Sequence, residues 1–196
     1  MTEYDTKDAL FQRSGLPDDL LFLLRKYPRD RWGQDITLTD MCQFWIQRHD
    51  MFRELGNALS DSVVMLREET VDPASFRQWF APRVNFLLSQ LEGHHHIEDT
   101  HYFPSFQAAE PRLKRGFEIL DADHHTIHDL LVSNADAGNA FLKGLAEGGD
   151  ALKFASEKYG READRLLAGL MRHLEDEEDL IVPLLVDREG MGQVLM

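Results

Sequence analysis

The chain has 196 residues, 35 acidic and 21 basic, for a formal net charge of −14 with histidine neutral, and 43% of it is apolar. That length fits one domain able to bury a core, and the acidic excess excludes nucleic acid or an anionic membrane surface as partner, since both need clustered lysine and arginine. A single cysteine, Cys42, excludes an internal disulfide and any zinc site built on several thiolates.

Residues 1–36 read as an N-terminal extension with one short helix. Pro17 suits a first helical position, Asp18 and Asp19 favour the positive helix end, and Tyr27-Pro28 stops it. The first residues carry acids and lack the apolar core of a secretory signal. No run reaches the roughly 20 apolar residues needed to span a bilayer, so the expected setting is reducing and cytoplasmic, without a membrane.

Four long helices follow, in an expected domain covering 37–190. Thr37 to Asp40 offers N-cap candidates for the first, over about 38–68, with Phe44, Ile46, Phe52, Leu55 and Leu59 near helical spacing. Asp72-Pro73 opens a second, over 73–107, which Pro82 should kink or split and Pro104 should bend or end. Glu110-Pro111 starts the third, 111–146, and Gly148-Gly149 closes it. Asp150 begins the fourth, 150–188. Alternating β-branched runs are nearly absent, so the pattern predicts an all-α fold, an antiparallel up-down four-helix bundle.

All nine histidines fall on these four helices, and none in the extension. His94 and Glu98 are four apart, as are His124 and His128, and His173 and Glu177, so each pair leaves one helical face. His49 stands alone on the first helix. One such pair is ordinarily a surface pair; three on three helices, with a histidine on the fourth, point to a metal site in the interior. Five imidazoles and two carboxylates exceed the four ligands of tetrahedral zinc, and calcium or magnesium would prefer oxygen. The set suits two six-coordinate irons bridged by Glu98 and Glu177.

Three stretches carry a resemblance. His94-His95-His96-Ile97-Glu98-Asp99 continuing to Phe103-Pro104, Asp123-His124-His125-Thr126-Ile127-His128, and His173-Leu174-Glu175-Asp176-Glu177-Glu178 to Pro183 are similar to the motifs of hemerythrin-like, HHE cation-binding domains. The resemblance covers roughly 38–188 and implies the same four-helix bundle. It implies that His124, His128 and His173 hold one iron, that His49 and His94 hold the other with a position left open, and that Glu98 and Glu177 bridge. His101 departs from the motif, which has an apolar residue there.

Around these residues, His101 reads equally as an outer partner or as an exposed side chain, while His95, His96 and His125 point away from the proposed ligands. Asp99 and Glu178 read as solvated carboxylates before outer partners of imidazoles, and the acidic run 175–179 as a solvated face except for Glu177. Trp45, Phe52, Leu91, Ile127, Leu170 and Ile181 read as core that would also keep a small-ligand pocket dry. The expected function is a non-haem diiron protein binding O2, NO or a related small ligand for sensing, storage or handling. The alternative is a diiron peroxidase or an iron donor in stress response. No catalytic acid, base or nucleophile for an organic substrate is identifiable.

Overall fold

Helix follows helix along the computed structural model, which describes residues 6–188. The first residues of the extension, 1–5, and the last two of the expected bundle domain, 189 and 190, lie outside the described residues. Among those described the chain is helical with no strand; Trp32 and Ile36 form one isolated bridge. In the extension a 3-10 turn, Asp18–Leu20, leads into helix α1, Phe22–Lys26.

Helix α2, Asp40–Arg67, starts where Thr39 accepts a hydrogen bond from the Cys42 amide at 3.2 Å, which satisfies a donor left open in the first turn. Helix α3, Pro73–Ile97, is capped by Asp72, whose carboxylate accepts from the amides of Ala74 and Ser75. The expected split at Pro82 does not occur, and α3 continues through it. The second expected break is real and lies just upstream of Pro104. There α3 passes into a π-helical turn, Glu98–Tyr102, closed by the Phe103 amide on the Glu98 carbonyl, and then into α4, Phe103–Ala109.

Pro104 has no amide hydrogen and its ring crowds the carbonyl four residues back. The same holds for Pro82 and Pro183 in helices that nevertheless continue, and here the change of helix type accompanies it. Hydroxyls take up the nearby carbonyls: Thr100 donates to His96 and Ser105 to His101. A 3-10 turn, Pro111–Leu113, then precedes α5, Lys114–Glu147, and α6, Gly149–Asp187, completes the chain.

The helices contribute to two compact units. The first comprises Met1–Asp50, His95–His125 and Met171–Met196. Its core joins Leu16, Leu20 and Leu23 of the extension to Trp45, Phe103, Phe106, Phe117 and Leu184. Burying each of these side chains stabilises the unit by about 1.5–3 kcal/mol before entropy is counted. The extension is therefore part of this core. The second unit comprises Met51–His94 and Thr126–Leu170, and its centre is an aromatic cluster. Phe80 lies 4.9 Å from Phe76, 5.6 Å from Phe141 and 5.1 Å from Tyr159, ring centre to ring centre.

Candidate metal centre

In the first unit α2, the π-helical turn and α6 bring His49, Glu98 and Glu177 together, with ligand atoms within 4.8 Å of one another. A second group consists of His95, His124 and His173, again within 4.8 Å and all buried. The groups are linked: Nε2 of His124 lies 3.6 Å from Glu98 and that of His173 lies 3.3 Å from Glu177. The Nε2 atoms of His124 and His173 are 3.1 Å apart.

Three carboxylates hold the imidazoles from behind. Nδ1 of His49 lies 3.0 Å from Glu178, that of His124 2.7 Å from Asp99, and that of His173 3.2 Å from Asp123. An Nδ1–H donated to a carboxylate leaves Nε2 as the inward lone pair, the arrangement by which a protein fixes a ligating histidine. Trp45 adds a hydrogen bond from its indole to the carboxylate of Glu177 at 2.7 Å. Phe103 stacks on His124 at 5.3 Å.

The electrostatics suit a cation. Glu98 is fully buried, and burial together with the neighbouring Glu177 carboxylate pushes its pKa well above the ordinary value. Burial works against charging His173, but hydrogen bonds to Asp123 and Glu177 raise it to about 9. For His124, burial prevails over Asp99 and lowers the pKa. Asp123 stays low because His173 and Arg13 outweigh its burial. Imidazole nitrogens mixed with buried carboxylates are the donor set of iron, zinc, copper or nickel, and a divalent ion would supply the charge that two buried carboxylates lack.

Of the sequence-derived ligands, His49, Glu98, His124, His173 and Glu177 come together in this unit. His94 is the last residue of the second unit, its ring 5.1 Å from Phe52, one helical turn before Glu98 on the same helical run. His128 does not enter either group. It is exposed on α5 and its Nδ1 lies 3.0 Å from Glu92. His95 stands with His124 and His173 instead, stacked on His124 at 4.1 Å. The turn of about 100° that separates His95 from His94, taken from spacing as a reason to set it aside, is what carries it to a different neighbour.

His96, His101 and His125 are exposed, and His101 lies 2.6 Å from the hydroxyl of Thr100. Asp99 and Glu178, read as solvated, are partners of imidazoles, and Asp176 joins Glu177 and Glu178 among the buried acids. Asp123 stands in the third-helix motif but was given no role there, although its place directly before the His124-His125 pair was a usable signal. The six apolar residues near the ligands, Trp45, Phe52, Leu91, Ile127, Leu170 and Ile181, are all buried. Cys42 is buried, and burial raises its thiol pKa. Among the described residues no helix is long and apolar enough to cross a membrane.

Compared with models of known families, the chain matches the hemerythrin HHE cation binding domain over residues 40–185. No curated protein and no solved structure matches it. The matched span includes both groups of candidate ligands and leaves out the extension.

Proposed function

The chain belongs to the hemerythrin HHE cation-binding family, and from that premise we propose a diiron protein that binds O2, NO or a related small ligand. The observation that carries the reading is the convergence of His49, Glu98, His95, His124, His173 and Glu177, with imidazole Nε2 atoms 3.3–3.6 Å from the two buried carboxylates. In this reading His95, His124 and His173 would hold one iron. His49 would hold the other with His94, which is assigned by its place four residues before Glu98, and Glu98 and Glu177 would supply carboxylates to both. Helices α2, α3, α5 and α6 would then form the antiparallel bundle that such a centre requires.

When bound, the iron pair supplies an open coordination position and a change of oxidation state for a diatomic ligand or peroxide. The chain's own residues do the rest. Asp99, Asp123 and Glu178 fix the imidazoles, Trp45 holds one oxygen of Glu177, and the rings of Phe103 and Phe106 keep water from the first unit's interior.

The test is the untagged protein from iron-replete cells, assayed for iron and for its visible spectrum before and after reduction and exposure to O2 or NO. The expected result is about two irons per chain and bands that change with each ligand. Protein without iron would overturn the reading, and sustained turnover of hydrogen peroxide would replace binding with peroxidase activity.

A further inference from the structure

The extension lies outside the span that the family model matches, yet two of its arginines reach the carboxylates behind the candidate ligands. Arg13 forms a fork on Asp123, with Nη1 2.8 Å from Oδ1 and Nη2 on Oδ2, and its Nε donates to Asp176 at 2.8 Å. Asp123 is the partner of His173 Nδ1, and Asp176 directly precedes Glu177. The Arg13 side chain is 3% exposed, and both aspartates are fully buried. Arg29 holds the corresponding acid at the other group through a single bond. Its Nη1 donates to Glu178 Oε2 at 2.6 Å, while Glu178 Oε1 lies 3.0 Å from His49 Nδ1. Its Nε and Nη2 also hold Asp179, and Nη2 reaches the carbonyl of Glu175.

We propose that the extension positions the metal-binding imidazoles through two relays, Arg13–Asp123–His173 and Arg29–Glu178–His49. A carboxylate held by a guanidinium, through a fork at Asp123 and through one oxygen at Glu178, is restricted in rotation, and part of its charge is neutralised. It therefore offers its histidine one oxygen in one direction with a set basicity. Arg13 and Arg29 are positioning residues that act through the acids they hold. The third such acid, Asp99, lies on the π-helical turn with 35% of its side chain exposed, and it serves as an internal comparison. This inference rests on the diiron reading for its metal consequence, whereas the relays themselves are contacts between protein side chains.

The experiment compares Arg13→Gln and Arg29→Gln with Arg115→Gln. Arg115 also holds the extension, through the Asp8 carboxylate at 2.8 Å, whereas Arg13 meets the Asp8 carbonyl at 2.7 Å. Arg115→Gln therefore loosens the extension while leaving the guanidiniums of Arg13 and Arg29 in place. In metal-free protein, proton–nitrogen spectra of the imidazoles should show the Nδ1–H signal of His173 moving in Arg13→Gln and that of His49 moving in Arg29→Gln. His124, whose Nε2 lies 3.1 Å from that of His173, is the comparison for Arg29→Gln and should stay in place there, and Arg115→Gln should move none of the three. In iron-loaded protein, chelator competition should show each relay variant weakened by about tenfold, the low end for outer partners of ligands, and Arg115→Gln unchanged.

If Arg13→Gln does not fold, Arg13→Lys, which keeps the charge and loses the fork, should move the same His173 signal. Relay variants that behave like Arg115→Gln in the spectra would overturn the proposal. Wild-type protein that binds no iron, together with relay variants that show the site-specific signal changes, would overturn the diiron reading and leave the relays standing.

Discussion

His49, His124 and His173 each give Nδ1 to a carboxylate and turn Nε2 toward a carboxylate of the cluster. His95 reaches the same place by stacking on His124. If the proposed ligand set is correct, His95→Ala should weaken iron retention by more than about tenfold. His128→Ala should leave it unchanged, because it loses only an exposed pair with Glu92 worth at most ~1 kcal/mol. Iron analysis after dialysis against a chelator separates the two, and the opposite ranking would restore His128 to the set. At this scale the sequence displayed the right residue types but not their outcomes. Spacing on one helix states which side chains share a face; it does not state what that face meets. Asp99 and Glu178 became legible only once neighbouring elements were in place, whereas Asp123 could have been read from its place before His124-His125.

At the scale of elements, turn chemistry was the most readable part. Asp72 caps α3, Thr39 caps α2, and the glycine pair between α5 and α6 has positive φ, 71° at Gly148 and 55° at Gly149. Gly148→Ala should cost about 1–2 kcal/mol, since a Cβ disfavours the left-handed region, and thermal melting of the variant would check it. An unchanged melting temperature would mean the turn relaxes. Glu110 opens the 3-10 turn before α5 and is held by Arg112 at 2.7 Å and Arg188 at 3.2 Å. The hydrogen bond from Arg112 keeps its pKa at about 2, below the ordinary 4.5.

A depressed pKa gives stability that is complete above about pH 4.5 and fades as pH falls toward 2. Glu110→Gln should therefore narrow the stability difference between pH 6 and pH 3, measured by denaturant titration at both values. A difference equal to wild type would show that other acids carry it. Pro82 and Pro104 mark the limit of this level of reading. Each lies within a helical pattern, and only Pro104 is preceded by a change of helix type.

For the molecule as a whole, the helical class was legible because the apolar stripes and end signals agree over long runs. The role of the acidic excess was not. Besides the solvated faces, Glu98, Glu110, Asp123, Asp176, Glu177 and Glu178 are buried, so part of the −14 charge is interior. Arginines of the extension answer some of it. Helical spacing could not reveal this, because those arginines lie more than a hundred residues from the acids they meet.

The π-helical turn at Glu98–Tyr102 has a consequence for chain length. Closed by a bond to the fifth residue back, it takes up one residue more than an α-turn. Removing a single residue there would let the turn revert to α and leave every later side chain of that helical run in its present phase. Removing one from regular helix would instead carry them about 100° around the axis. Phe103 and Phe106, now 2% and 0% exposed, would stay in the core. In chains aligned with this one, a one-residue gap beside the His-His-x-x-Glu pattern is therefore the loss of the π-helical turn with the helical phase kept on either side.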